Sequence, residues 1–266
     1  MKIFTVATLL QPAQEVLYMA YYTCLLLDAD GTLLDFEAAE RKAFSETMEH
    51  FDLPATNEIL ETYIQINTGL WRDLENGKIK RDKLMTQRFT KLLEAVGAQG
   101  SGAEMNKYYL NQLKTHADLL PGTIEAMHEL AEVATLAVVS NGVEYVQSGR
   151  LKASGLEEYM DGVFISERVG AEKPNRRIFD TALRQLGVEN TKSVLVVGDS
   201  LNADIKGGKN AGLATCWANF TNDEDAEPQV ADYTIHNWQQ LFKIVMEPDE
   251  LENVGVRNRK HQFENQ

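Results

Sequence analysis

The chain reads as an α/β protein, a doubly wound parallel sheet interrupted by an inserted helical subdomain, and three observations lead there. First, Tyr22–Leu27 is short, apolar and ends abruptly in Asp28-Ala29-Asp30-Gly31, the pattern of a strand covered on both faces that delivers polar groups to its carboxyl end. Second, residues 36–115 read as one helix after another without a convincing strand. Third, from Pro121-Gly122 onward short apolar strands alternate with helices, which implies right-handed crossovers and a parallel sheet that includes the first strand.

The elements follow in order. In the first strand's exit, residues i and i+2 of an extended chain share a face, so Asp28 and Asp30 can address one object before Gly31 turns the chain. Such a pair suits a metal, a nucleophile with an acid, or both. Helices are expected over Phe36–Phe51, Glu58–Gly69, Arg81–Val96 and Ala103–Lys114, with breaks at Leu53-Pro54, Asn76-Gly77, Gly97 and Gly100-Ser101-Gly102. In the third, Leu84, Phe89, Leu92, Leu93 and Val96 recur at helical spacing. Strands are expected at Thr135–Val139, Ser193–Val197 and Ala214–Trp217, ending in Ser140-Asn141-Gly142, Gly198-Asp199-Ser200 and a segment leading to Asn219. Between them lie helices over Val143–Ala153, Arg176–Leu186 and Asn202–Ala211, the second with Ile178, Phe179, Ala182, Leu183 and Leu186 on one face.

Composition narrows the function classes. At 266 residues, 44% hydrophobic and 25% charged, the chain has enough material for a sizeable core in one large or two modest domains. A formal charge of −14 opposes nonspecific binding to nucleic acid or an anionic membrane, so an anionic substrate would need a local cation such as Mg²⁺ or a placed Lys. Cys24 and Cys216 sit in apolar strand-like runs and read as reduced core thiols. The stretch Ile3–Leu10, broken at Gln11-Pro12, is too short to span a membrane, and with Glu15 following and no A-x-A site it departs from an export signal. Residues 1–21 are expected to form an extension outside the fold, with Met19 an alternative start, and the polar stretch 247–266 a poorly ordered tail. The sheet domain is expected over 22–35 and 116–246 and the helical insertion over 36–115. A cytoplasmic monomer or homodimer is expected.

Four polar clusters fall at strand ends or in loops beside them: Asp28/Asp30, Ser140-Asn141, Lys173-Pro174, and Asp199 with Asp204. Their chemistry is mutually consistent. Mg²⁺ takes oxygen ligands and keeps several waters, and Asp28 and Asp199 are its natural carboxylates. A Lys supplies charge to a phosphate and to a nucleophilic carboxylate, and a Ser hydroxyl beside backbone N–H groups at a helix start cradles phosphate oxygens. Singly, the acids are ordinary turn or N-cap residues and Ser140-Asn141-Gly142 is good turn chemistry. Their order and shared placement at strand ends argue for one site.

Asp28-Ala29-Asp30-Gly31-Thr32-Leu33, Ser140-Asn141-Gly142, Lys173-Pro174 and Gly198-Asp199…Asp204 resemble, in that order, the four motifs of the haloacid dehalogenase superfamily, over about residues 22–245. The resemblance implies a Rossmann-like core and makes Asp28 the nucleophile that becomes an aspartyl-phosphate. It makes Asp30 the group that protonates the leaving oxygen and later deprotonates the hydrolytic water. Ser140, with Asn141, would hold the phosphoryl group, and Lys173 would orient Asp28 and offset charge. Mg²⁺ would be held by Asp28, the Asp30 carbonyl and Asp199, with Asp204 in support.

The resemblance also bears on the reaction. A halide leaves without a proton, and the dehalogenase branch lacks the second Asp, so Asp30 favours a phosphomonoester hydrolase; a phosphomutase uses the same Asp pair. An insertion between the first and second motifs resembles a C1-type cap. Within it, Asn67-Thr68-Gly69-Leu70-Trp71-Arg72 and Asn76-Gly77-Lys78-Ile79 are similar to bacterial noncanonical pyrimidine nucleotidases, as are Gly170–Asp180 and Gly212–Asn219. The expected activity is thus a 5′-nucleotidase on pyrimidine nucleoside monophosphates; the alternatives are a sugar-phosphate phosphatase or mutase, or a non-catalytic binding protein. Trp71 suits either stacking on a nucleobase or packing within the insertion, and Arg72 either a substrate oxygen or solvent.

Overall fold

The computed structural model describes residues 20–221 and 230–247, so the expectations for residues 1–19 and 248–266 lie outside the described residues. Six strands form one parallel sheet: β1 (Cys24–Leu27), β2 (Thr135–Ser140), β3 (Gly162–Ile165), β4 (Val194–Gly198), β5 (Ala214–Ala218) and β6 (Tyr233–Ile235), in the order β3-β2-β1-β4-β5-β6. The chain adds strands on one side of β1 and then the other, so the order reverses between β1 and β4, where open α/β sheets bind ligands. Leu27 is in register with Val138 of β2 and with Val197 of β4. The polar residues that follow these strands therefore emerge at one level.

Alternation along the buried strands explains why both faces are covered. Leu25 and Leu27 pack with Leu136, Val138, Leu195 and Val197 against Met127 and Leu130 of α5 (Thr123–Ala131) and Leu241, Ile244 and Val245 of α10 (Trp238–Met246). Leu26 and Cys24 face the other way, toward Ile178, Phe179, Ala182 and Leu183 of α8 (Arg176–Leu186). Each fully buried Leu, Ile, Val, Phe or Met among them contributes about 1.5–3 kcal/mol. Cys24 and Cys216 are buried and unpaired, as expected.

The helices between β1 and β2 are α1 (Phe36–His50), α2 (Asn57–Glu75), α3 (Arg81–Val96) and α4 (Gly102–Leu113). Asp35, Thr56 and Ser101 cap α1, α2 and α4 by accepting from Ala38, Ile59 and Glu104 N–H. Phe44, Met48, Tyr63, Phe89, Leu92, Met105 and Tyr109 form a core of their own. The expected end of α2 at Gly69 is corrected: the helix runs on to Glu75 because Leu70 and Leu74 pack on Leu84 of α3, which outweighs the cost of one internal glycine, about 1 kcal/mol. β3 and β6, with helices α5 and α10, add to the elements expected from sequence; β3 and β6 have only four and three residues, too few for a period to show. Among the described residues no helix is long and apolar enough to cross a membrane.

One buried acid makes a stability prediction. Glu40 of α1 accepts from Asn67 Nδ2 at 2.8 Å, and burial pushes its carboxyl up to about 7 from 4.5. Between those values the folded chain holds a proton that the unfolded chain releases, so this stabilisation is full below pH 4.5 and lost as pH rises through about 7. Glu40→Gln is expected to leave the Tm near that of the unsubstituted chain at acid pH. At alkaline pH it raises stability by about 3 kcal/mol at most, measured by thermal melts across the range.

Candidate active site

The sheet delivers Asp28 from β1 and Asp199 from β4 to the topological switch point, and Lys173 lies between them on the loop after α7 (Ser166–Val169). Lys173 is 2% exposed, and its Nζ donates to Asp28 Oδ1 at 2.5 Å, Asp204 Oδ1 at 2.6 Å and the Val139 carbonyl at 2.8 Å. An ammonium has three N–H donors, so this one is fully committed. Burial disfavours its charge, but Asp204 and Asp28 outweigh that and hold its pKa above the ordinary lysine value. The Lys173-Pro174 peptide is cis.

Asp28 is itself buried. Burial pushes its carboxyl well above the ordinary range, Lys173 pulls it back, and Asp204 and Asp199 push it up again. Asp199 is the solvent-exposed member of the trio, and partial desolvation by its neighbours, reinforced by the Asp204 carboxylate, pushes it up to about 7. Oxygens of Asp28, Asp199 and Asp204 all lie within 4.8 Å of one another. Three carboxylates against one ammonium repel each other, and a hard divalent cation reverses that repulsion. The donor set therefore fits Mg²⁺. Asp204 has its oxygens engaged by Lys173 and by Ser200 N–H (3.1 Å), which sets it behind Asp28 and Asp199.

The surrounding backbone is built for this crowding. Gly31 has φ +79°, and a Cβ there would lie 2.5 Å from Asp199 Oδ2; a Cβ on Gly198 would lie 2.3 Å from the Asp204 carboxyl carbon. Asp199 is oriented by its N–H donating to Thr32 Oγ1 (3.1 Å) and by Trp217 Nε1 donating to its carbonyl (2.8 Å). Asp204 sits in a single π-helical turn, Leu201–Ile205, ahead of α9 (Lys206–Ala211). Such turns recur at functional sites. A cavity of about 900 Å³ opens beside Asp30, Gly31 and Asp199, walled by Phe36, Trp217 and Trp238.

Ser140 lies at the end of β2 and is fully buried. Its Oγ accepts from Gly142 N–H and from Gln147 Nε2, both at 3.0 Å. With both lone pairs taken, its own proton is left to donate. The Asn141 side chain turns instead to the Lys173 backbone, donating to its carbonyl at 3.0 Å and accepting its N–H at 2.8 Å, so the two loops are laced together.

Asp30 is held by two residues that sequence reasoning missed, both on α6 (Glu144–Ala153). Gln147 Nε2 donates to its Oδ2 at 2.5 Å, and the wholly buried Arg150 ion-pairs with its Oδ1 while donating to the His116 carbonyl at 2.8 Å. Gln147 Oε1 and Arg150 Nη2 are buried with no hydrogen-bond partner among the described residues. The available signal was two large polar residues three apart on the helix that follows Ser140-Asn141-Gly142. Trp71 packs beside Leu70, Leu74 and Leu84 under the Arg81 guanidinium (5.7 Å), and Arg72 is exposed.

A family model for haloacid dehalogenase-like hydrolases matches residues 22–212. The chain belongs to this family. It is therefore a hydrolase, built on the family's parallel sheet with an inserted cap. The HAD-hydrolase YfnB of Bacillus subtilis is 36% identical over 227 residues, covering 85% of this chain and 97% of that one. The pyrimidine 5′-nucleotidases PynA of Streptococcus pneumoniae and YjjG of Escherichia coli are each 33% identical, over 84% and 83% of this chain and 94% and 96% of theirs. The crystal structure of magnesium-bound YfnB superposes with a TM-score of 0.80, covering 84% of this chain and 98% of that one.

Proposed function

We propose that this family member is a Mg²⁺-dependent phosphomonoesterase that works through an aspartyl-phosphate and acts on nucleoside 5′-monophosphates, pyrimidines foremost. The carrying observation is Lys173, bonded at once to Asp28 and Asp204 at the switch point, with Asp199 beside them. The names of PynA and YjjG support the substrate class, and that of magnesium-bound YfnB the metal.

Asp28 attacks phosphorus, forming the Asp28–phosphorus bond as the bond to the leaving oxygen breaks. Lys173 holds that carboxylate in place and offsets its charge, while the Ser140 hydroxyl donates to a phosphoryl oxygen. Asn141 contributes by tying the Ser140 loop to Lys173. Asp30, held in place by Arg150 and Gln147, is the acid–base group: in its protonated form it donates to the leaving oxygen, and the carboxylate so formed takes a proton from the water that cleaves the acyl phosphate. Asp28, the Asp30 carbonyl and Asp199, with Asp204 behind, would hold Mg²⁺, whose charge would offset that of the phosphoryl group. Arg150 Nη2 and Gln147 Oε1, which find no partner among the described residues, are buried beside these reacting groups, as is common where a ligand completes a network.

Two measurements test this. Exhaustive chelation is expected to abolish phosphate release from p-nitrophenyl phosphate and added Mg²⁺ to restore it; full activity after chelation would overturn the metal assignment. A panel of UMP, dUMP, dTMP, purine monophosphates and sugar phosphates, ranked by kcat/KM, is expected to place the pyrimidines first. Sugar-phosphate turnover without nucleotide turnover would reject the nucleotidase reading, and a phosphorylated isomer in place of free phosphate would show a mutase.

A further inference from the structure

Arg81, the first residue of α3, belongs to the helical insertion, yet its guanidinium is spent on the sheet domain. Nη2 donates to the Asn141 carbonyl at 2.8 Å and to Ser166 Oγ at 2.7 Å, Nη1 to the Gly142 carbonyl at 3.3 Å, and Nε to Glu172 Oε1 at 3.1 Å. One cap side chain thus grips both loops that present Ser140 and Lys173. Its side chain is 14% exposed and lies over the Trp71 ring.

The consequence lies in one peptide unit. The Asn141 carbonyl that accepts from Arg81 belongs to the same peptide as the Gly142 N–H that donates to Ser140 Oγ. In a trans peptide the two groups point opposite ways, so fixing the carbonyl aims the N–H. A cation on the carbonyl also strengthens that N–H as a donor, since hydrogen bonds in series polarise one another. Resting on the phosphatase reading above, we propose that Arg81 is a positioning residue that couples cap closure to catalysis. Because it reaches the Asn141-Gly142 peptide only when the insertion sits on the sheet domain, the Ser140 hydroxyl is fully aimed at phosphate only in the closed state. A second cap contact, Asn202 Nδ2 donating to Glu75 Oε2 at 2.8 Å, holds the insertion to the loop bearing Asp204 without touching the Ser140 loop.

A double-mutant cycle on the full chain with Mg²⁺ tests this, reading kcat and KM for the best phosphomonoester and inhibition by orthovanadate. Arg81→Ala is expected to lower kcat about 10- to 100-fold, the scale of a modest misplacement of a reacting group, and to weaken orthovanadate. On a Ser140→Ala background the same substitution is expected to cost less than about threefold, because the group through which it acts is gone. Arg81→Lys, which keeps the charge but not the planar fork, is expected to fall between, and millimolar guanidinium to restore part of the Arg81→Ala loss. If Arg81→Ala does not fold, the cycle runs with Arg81→Lys. Unchanged kcat, or equal losses with and without Ser140, would overturn the coupling; a parent chain that hydrolyses no phosphomonoester would instead overturn the phosphatase reading.

Discussion

Replacing Asp28 with asparagine is expected to lower phosphomonoester turnover by more than about 10⁴-fold while leaving the chain folded. The amide is nearly isosteric and its oxygen still accepts from Lys173, so the packing at the end of β1 survives. What it lacks is a carboxylate oxygen able to bond phosphorus. Stability is expected to hold or rise, because burial and two neighbouring carboxylates already oppose ionisation of Asp28 and the substitution removes that charge from the cluster. The checks are phosphate release in steady state and a thermal melt. A rapid acid quench adds a third, since the unsubstituted chain should yield a hydroxylamine-sensitive phosphoenzyme and the variant none. Substantial residual turnover by Asp28→Asn would remove Asp28 from the role of nucleophile.

Lys173→Met is expected to damage both activity and stability. Methionine fills much of the same volume, but it leaves Asp28 and Asp204 buried with no cation between them and removes the Lys173 bond to the Val139 carbonyl. Breaking a buried pair in this way costs about 3–5 kcal/mol, and kcat is expected to fall at least about 10²-fold with the loss of a fixed positive charge. The pH dependence has a definite sign. Lys173 is what pulls the Asp28 carboxyl down against burial, so without it that carboxyl titrates higher still and the folded state keeps a proton the unfolded chain has lost. The deficit in Tm should therefore widen as pH rises and narrow in acid. Adding Asp204→Asn should recover stability but not turnover. Recovery of both would reduce Lys173 to a structural ion-pair partner.

How much of this was legible in the sequence follows from the range over which each residue acts. Asp28, Ser140 and Asp199 were visible because a strand announces its own end: an apolar run stops, and the next polar residue is at the carboxyl edge of the sheet whatever the distant neighbours are. Lys173 was visible only in the company of the other three. Gln147 and Arg150 were not visible, although they hold Asp30, because their partner is 117 and 120 residues away and locally they read as ordinary polar helix residues. The same holds for Arg81, whose carbonyl partners on Asn141 and Gly142 are 60 and 61 residues on. Asn141 shows the complementary case: its place in the motif was legible, but that its amide laces the Lys173 backbone was not.

The sequence by itself determined four of the six strands, the insertion point of the helices and the acids at the strand ends, because hydrophobic period and turn chemistry are local and short-ranged. The tertiary structure alone decided what surrounds those acids. It set Lys173 with all three protons committed, Ser140 with both lone pairs filled, Asp30 locked by α6, and a cap arginine on the peptide whose N–H bonds Ser140. Those properties depend on angstrom-scale distances between segments far apart in the chain, and no pattern of residue types along one segment encodes them.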